Sequence, residues 1–459
     1  MNIQKLVKNY QPNFIHNSLI SIYNSWLYKG RHSGEYNHYR NYFNEFDSAT
    51  ISELELEQTR RLTQFLNHAS SQSPYYSRII SKKETWTIDE LKSIPVLSKE
   101  KLVRNLDTIA TIPERRGIVS FTGGTTGASL KVIYTKEDIQ ERFAALDNFR
   151  SKWGYKLGKK TAWFSGKDIL SKQDIKDDRY FKDDWINKIR FYSTFHLNVD
   201  TFDAYWEDFC KFSPEYIVGF PSNILHLCKI SKSKGYTYPH KSEIRVFFPT
   251  AETVTVEHKK IIEEVLGCPL INQYASAEGA PFIFECKDGS LHINPVTGVF
   301  EVVDDSLQPC SDGQILVTSF TTRGTPLIRY NIGDSIKLSD KICECGSAHR
   351  VVEHINGRAD DYLYSPWTGK INLGNLSNIT KDIKGIISFQ AVQNIENMII
   401  INIITDSIFN LKQEENLLSA LHARFGSKMK FTINKVNVIP NEKSGKFRIV
   451  KNNLNKYSI

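Results

Sequence analysis

Between residues 118 and 280, short apolar runs alternate with stretches of helical spacing, and this alternation narrows the fold more than any other feature of the chain. Thr161-Ala-Trp-Phe, Tyr216-Ile-Val-Gly-Phe and Ile244-Arg-Val-Phe-Phe read as strands. The second leads into a helix that Ser222 is placed to cap. The third leads into a helix from Val256 to Leu266. It gathers Ile261, Ile262, Val265 and Leu266 on one face and ends at Gly267. Strands separated by helices are the signature of an α/β layer. The texture differs on either side. Residues 1–110 read as helical and charged, while 296–340 read as short strands with turns at Asp304-Asp305 and Asp312-Gly313, a small β subdomain. Beyond a charged loop at Gly357–Asp361, strands (Ile386 to Val392, Met398 to Ile404), a helix (Leu411 to Phe425) and a strand (Phe431 to Val438) predict a compact α+β domain of about 100 residues. With 459 residues the chain has room for two or three domains. We expect an α/β protein with a helical part (1–110), a core (111–358) and a small α+β C-terminal domain (359–459).

Composition limits the function. No apolar run reaches the ~18 residues of a membrane span, and the start Met1-Asn-Ile-Gln-Lys lacks a signal-peptide core, so a cytoplasmic protein is expected. The formal charge of +8 suits anionic ligands such as nucleotides. No nucleic-acid recognition motif accompanies it, and a nucleic-acid partner is not expected. Segment 14–29 (Phe14, Ile15, Leu19, Ile20, Ile22, Tyr23, Trp26, Leu27) spaces its apolar groups as a helix does. It suits packing on its own domain first, and peripheral membrane contact second. Seven cysteines, an odd number, argue against a disulfide scaffold.

Four short motifs carry chemistry. Phe121-Thr-Gly-Gly-Thr-Thr-Gly-Ala-Ser129 joins two strand-like runs. Its glycines let backbone N–H groups approach a phosphate and its threonines add hydroxyl donors. No Lys-Ser or Lys-Thr follows Gly127, so it is not a Walker A loop. On its own it equally fits an ordinary hairpin turn. Gln273-Tyr-Ala-Ser-Ala-Glu278-Gly, Ile328-Arg-Tyr-Asn-Ile-Gly-Asp334 with Gly357-Arg358-Ala-Asp360, and Asn441-Glu-Lys-Ser-Gly-Lys446-Phe-Arg448 follow in that order. Four such stations across roughly 330 residues resemble the adenylate-forming superfamily, closest to its phenylacetate–CoA ligase branch and the capsule-biosynthesis relatives of that branch.

The resemblance implies a large N-terminal adenylate-forming domain, a mobile C-terminal domain, and a reaction joining a carboxylate to AMP with release of pyrophosphate. Thr122, Gly123, Gly124, Thr125, Thr126 and Gly127 would hold the β- and γ-phosphates of ATP. Glu278 would hold Mg²⁺, since hard cations take carboxylate oxygen. Ala251, Glu252 and Thr253 would line the purine, with Tyr274 and Ala275 near the adenine. Asp334 would accept bonds from the ribose hydroxyls, and Arg358 would contact ribose or phosphate. Lys446 would neutralise charge developing at the α-phosphate and carboxylate, with Asp360 at the hinge. Taken singly, Glu278 reads equally as a cap, Asp334 as a turn residue and Lys446 as a solvated lysine.

Cys286-x5-His292 and Cys343-x-Cys345-Gly offer three thiols and an imidazole, enough for a tetrahedral zinc. The spacing is not that of a common zinc finger, and scattered buried cysteines such as Cys268 or Cys310 are the alternative. The resemblance implies a structural zinc there, with His349 a less suited substitute ligand. Phe220-Pro-Ser-Asn223, Trp163, Phe164, Phe247 and Phe248 are candidates to line the carboxylate pocket. The acceptor is open: the resemblance implies CoA or a sugar. The segment after Asp361 keeps Gly369 but otherwise departs from the CoA-ligase pattern. AMP transfer to a non-carboxylate acceptor and a non-catalytic nucleotide-binding role are the alternatives; the latter has no need of Lys446.

Overall fold

The computed structural model describes residues 12–121, 130–358, 362–372, 379–380, 383–442 and 444–454. The loop residues Thr122 to Gly127 and the hinge residue Asp360 lie outside these. In chain order the main elements begin with helices α1 (Asn13–Arg31), α2 (Tyr36–Phe46) and α3 (Ile51–Gln72), hairpin strands β1 (Ile118–Phe121) and β2 (Lys131–Tyr134), and helix α4 (Lys136–Ser151). Next come β3 (Thr161–Ser165), β4 (Phe181–Asp184), β5 (Ile189–Ser193), α5 (Phe202–Phe212), β6 (Tyr216–Gly219), α6 (Pro221–Ser233), β7 (Val246–Pro249) and α7 (Val256–Leu266). A strand-rich stretch follows: β8 (Gln273–Tyr274), β9 (Ile283–Glu285), β10 (Leu291–Ile293), β11 (Gly298–Val303), β12 (Asp312–Ser319), β13 (Tyr330–Leu338) and β14 (Val351–Arg358). The last elements are β15 (Tyr362–Ser365), β16 (Gly369–Asn372), β17 (Ile386–Ile395), β18 (Met398–Thr405), α8 (Leu411–Phe425), β19 (Lys430–Lys435) and β20 (Val450–Asn452). No helix among the described residues is long and apolar enough to cross a membrane.

Contacts divide the chain into two units. The first comprises residues 1–22, 158–271 and 356–459. Its larger sheet has the order β4-β5-β3-β6-β7, parallel except for the β4 edge. Helices cover both faces of a parallel sheet, so its strands run apolar throughout. Ala162, Phe164, Ile217, Val218, Phe247 and Phe248 are accordingly buried. The same unit holds a four-stranded sheet, β19-β18-β17-β20, against which α8 packs Leu417, Leu421 and Phe425.

The second unit comprises residues 23–157 and 272–355. Its seven-stranded sheet runs β11-β12-β13-β14-β10-β9-β8. α3 starts with a capping box, Thr50 and Glu53 each bonding the other's backbone N–H, and lays Leu62, Phe65, Leu66 and Ala69 into the core.

The α/β class stands, and α7 ends at Gly267 in the left-handed conformation. Three local expectations need correction. Ser222 does not cap α6: Pro221 takes the first helical position, and no side chain caps Phe220. Asp312-Gly313 is the start of β12, not a turn, because its backbone pairs with Lys337 and Ile336 of β13. The β region is larger than 296–340 suggests, since β8, β9, β10 and β14 join from a distance.

Candidate functional site

In the first unit the loop carrying Lys446 closes on itself. Glu442 N donates to Lys446 O at 2.9 Å, and Gly445 N to Glu442 O at 2.8 Å. Gly445 has φ +76° and lies against Gly166 just beyond β3. A Cβ on Gly445 would stand 2.2 Å from the Gly166 Cα, and one on Gly166 would stand 1.6 Å from Ser444 O. Only two glycines permit this approach. Asn441 Nδ2 donates to Thr194 O at 2.5 Å, just past β5. The loop therefore sits at the carboxyl ends of the parallel strands, where α/β sheets place their ligands.

The same ends carry Ala251-Glu252-Thr253. Ala251 has φ +64°, a strained conformation for a residue with a side chain. The Glu252 carboxyl accepts Phe447 N at 3.2 Å through Oε1 and Ser222 N at 3.1 Å through Oε2. Ser222 thus serves as a backbone donor at the start of α6. Burial pushes the Glu252 carboxyl up to about 7, while Ser222, Lys446 and Phe447 pull the other way. A side chain on Gly357 would meet Thr253 Oγ1 at 2.6 Å, which places the Gly357-Arg358 station beside the same strip. The Arg358 side chain is outside the described set.

The second unit holds the other stations. Tyr274 donates its hydroxyl to Asp334 Oδ2 at 2.7 Å. Glu278 is buried, and Ala275 is exposed. The turn before Glu278 is held from three sides. Ser276 Oγ accepts Gly279 N and Ala280 N at 3.1 and 3.0 Å. Tyr134 donates to Ala277 O at 2.9 Å. Buried Arg142 on α4 donates to Gly279 O, Ala280 O and Thr321 Oγ1 at 2.9, 3.0 and 2.8 Å. Sequence reasoning missed Arg142. It sits in a polar helical stretch, and nothing local marks it as buried.

The Cys/His quartet converges in this unit. The ligand atoms of Cys286, His292, Cys343 and Cys345 lie within 4.8 Å of one another. Cys286 and Cys343 sulfurs are 3.6 Å apart, and Cys345 Sγ is 3.5 Å from His292 Nε2. A tetrahedral zinc has S–S edges of about 3.8 Å and S–N edges of about 3.5 Å, so the donors fit. His292 Nδ1 lies 2.9 Å from His349 O, which leaves Nε2 to face the thiols. His349 therefore supports the quartet through its backbone. Cys268 is fully buried and Cys310 partly so.

A cavity of mixed character opens in the first unit, with Leu197, Phe389, Ile404, Val438 and Ile439 forming its apolar part. Its lining includes Asn198, Asn223, His226, Lys229, His258 and Asn441. Burial first and Lys229 second push His226 down to about 4 and His258 to about 3, so both are neutral. Lys229 pairs with Glu257 at 2.7 Å. Ser222 and Asn223 line this cavity, whereas Phe164, Phe247 and Phe248 are sealed in the core.

Three comparisons bear on these stations. The CapK C-terminal domain profile matches residues 363–453. Protein CapK of Staphylococcus aureus is 30% identical over 98% of this chain and 99% of its own length. Phenylacetate-coenzyme A ligase of Escherichia coli strain K12 is 26% identical over 69% of this chain and 74% of its own. The crystal structure of 2-hydroxyisobutyryl-CoA ligase in the postadenylation state superposes with a TM-score of 0.72 at 15% identity, covering 89% of this chain and 91% of that one. That likeness supports the fold.

Proposed function

Because the chain belongs to the CapK-like branch of the adenylate-forming superfamily, we propose that it activates a carboxylate with ATP and passes the acyl group to a second acceptor. A carboxylate oxygen attacks the α-phosphorus, the bond to the β-phosphate oxygen breaks, and pyrophosphate leaves with its electron pair. Attack brings two anions together, so catalysis is positioning plus charge neutralisation. Lys446 supplies the positive charge. The observation that carries this reading is the docking of its loop on Glu252, nearly two hundred residues earlier, through Phe447 N. Ala251–Thr253 line the purine, Tyr274 and Ala275 flank the adenine, and Asp334 takes the ribose hydroxyls. Arg358 contacts ribose or phosphate, and Thr122 to Gly127 hold the β- and γ-phosphates. Glu278 offers buried carboxylate oxygen that would hold Mg²⁺, and the ion would supply positive charge against the phosphates. The Cys/His quartet would hold a structural zinc, all four positions filled by protein. ATP–pyrophosphate exchange tests the reading: exchange that depends on one acid supports it, and its absence with every class of acid overturns it.

The polar part of the cavity, set against an apolar part, suits a substrate that carries both hydroxyl groups and carbon framework. Neutral imidazoles and amides donate and accept to hydroxyl groups, and a site built for them rejects analogues lacking those groups. We assign it to a hydroxylated acid or a sugar acceptor, which suits surface-polysaccharide synthesis. CoA is the second candidate for the acceptor. Sugar acids should therefore outperform phenylacetate in exchange, or a sugar should consume the adenylate faster than CoA does.

Two predictions arise here. With a carboxyl titrating at about 7, acid protonates Glu252, removing the charge that Phe447 N, Ser222 N and Lys446 face. Adenylation should fall on the acid side of about pH 7, and Glu252→Gln should abolish that limb of the pH–rate profile. The effect on stability has the opposite sign. A carboxyl raised in the folded state contributes stability below its unfolded pKa and loses it as pH rises through about 7. An unchanged acid limb in Glu252→Gln would remove Glu252 from this role. Arg142→Lys keeps the charge but loses the forked donors. It should lower stability by about 2 kcal/mol and raise the Mg²⁺ concentration needed for half-maximal exchange. A Mg²⁺ dependence identical to wild type would leave Arg142 with no part in placing Glu278.

A further inference from the structure

Helix α1 is mounted with its polar side inward. His16, Asn17 and Ser21 are buried at 9%, 1% and 2% exposure, while Phe14, Leu19, Ile22, Tyr23 and Trp26 are 62%, 50%, 64%, 60% and 69% exposed. Leu19, Ile22, Tyr23 and Trp26 stand at i, i+3, i+4 and i+7, one face of the helix. The mounting is specific. Lys182 Nζ, wholly buried on β4, donates to Asn13 Oδ1 at 2.7 Å, lies 3.3 Å from His16 Nδ1, and pairs with Asp174 at 2.8 Å. Asp183 N donates to Asn17 Oδ1 at 3.2 Å, and Trp185 N to Ser21 Oγ at 2.9 Å. Beside Ser21, in the β4–β5 turn, Trp185 and Ile186 are exposed at 52% and 59%. A helix held by a fully satisfied polar face cannot be rolled to hide its apolar side without stranding a buried lysine.

Charge identifies what covers this face. Residues 1–34 contain no aspartate or glutamate but carry Lys5, Lys8, Lys29 and Arg31, in a chain with 51 acidic residues. Lys188 lies in the same turn as Trp185. The acids at the end of β4, just before that turn, are engaged within the protein: Asp183 with Arg190 at 2.7 Å, Asp184 with Asn187 at 2.8 Å. Tryptophan and tyrosine beside lysine, with the two neighbouring acids engaged inside the protein, match the boundary of an anionic bilayer, where aromatic rings sit at headgroup depth and basic groups meet lipid phosphate. We propose that α1 and the Trp185-Ile186 turn dock the protein reversibly on an anionic membrane surface. This stands independently of the proposed reaction.

Co-sedimentation of the full-length protein with phosphatidylcholine vesicles, with and without phosphatidylglycerol, tests it. Binding should require the anionic lipid, weaken with salt and shift tryptophan emission to the blue. The double variant Trp26→Ser/Trp185→Ser should bind about tenfold more weakly, with an unchanged thermal midpoint and unchanged ATP–pyrophosphate exchange. If that variant folds poorly, Leu19→Ser/Ile22→Ser serves in its place. Failure of the wild type to bind anionic vesicles overturns the proposal. So does self-association of the wild type, seen by sedimentation velocity and abolished by the double variant, since a second copy would then be the occupant.

Discussion

Lys446→Ala is expected to slow ATP–pyrophosphate exchange by about 10²–10³-fold, the usual cost of removing one preorganised group aimed at charge that develops in the transition state. The apparent KM for ATP should change little, because the lysine is asked to act on the transition state more than on the bound ground state. The loop should stay docked in this variant. Its hold on the fold includes contacts that this variant keeps: Phe447 N on Glu252, Gly445 against Gly166, and Asn441 on Thr194 O. Lys446→Arg should recover only part of the rate, since a planar fork does not place its charge where a point ammonium does. Exchange in Lys446→Ala within threefold of wild type would take the lysine out of the mechanism. A KM increase with kcat intact would recast it as a nucleotide-binding residue.

Cys343→Ser should lose bound zinc and about 4 kcal/mol of stability together. Its sulfur is one of the two at 3.6 Å, and the quartet ties the β9–β10 hairpin to the segment before β14. Without an ion, three thiols and an imidazole crowd one another. Extended chelation of the wild type should lower its thermal midpoint similarly, by the order of 10 °C. Wild-type protein purified metal-free by elemental analysis, with an unaltered midpoint, would dismiss the metal. Cys268→Ser is the control: that thiol is fully buried away from the quartet, so the variant should lose stability without losing metal.

Residue type and order revealed part of this architecture. Helix α7 was readable because its apolar spacing and terminal Gly267 are local signals. The strands and helix of residues 386–425 were readable for the same reason. Cys286, His292, Cys343 and Cys345 could be picked out because thiols and imidazoles are scarce, and their side chains do converge. What stayed hidden was long-range. The role of Glu252 depends on two backbone amides, at Ser222 and Phe447, that no sequence pattern links. Arg142 looks like any helical arginine until the turn at Ser276–Ala280 is folded against it. Strand β14 joins the seven-stranded sheet from a distance, so the β region looked smaller than it is. For α1 the spacing was visible, but the inward choice of its polar side was not, because Lys182, which sets it, lies 169 residues from its partner Asn13.

The meeting of Gly166 and Gly445 has a mechanical consequence. Most seams between protein segments interlock side chains, and parting them frees many rotamers that must be ordered again on return. Here main chain rests on main chain. At this point of the seam separation frees no side chain and return orders none, so the entropic cost of lifting the lysine loop falls on its flanks, where Ile439 and Phe447 pack into the core. A methyl group at either position would hold the seam ajar and displace Lys446 without altering a single charge.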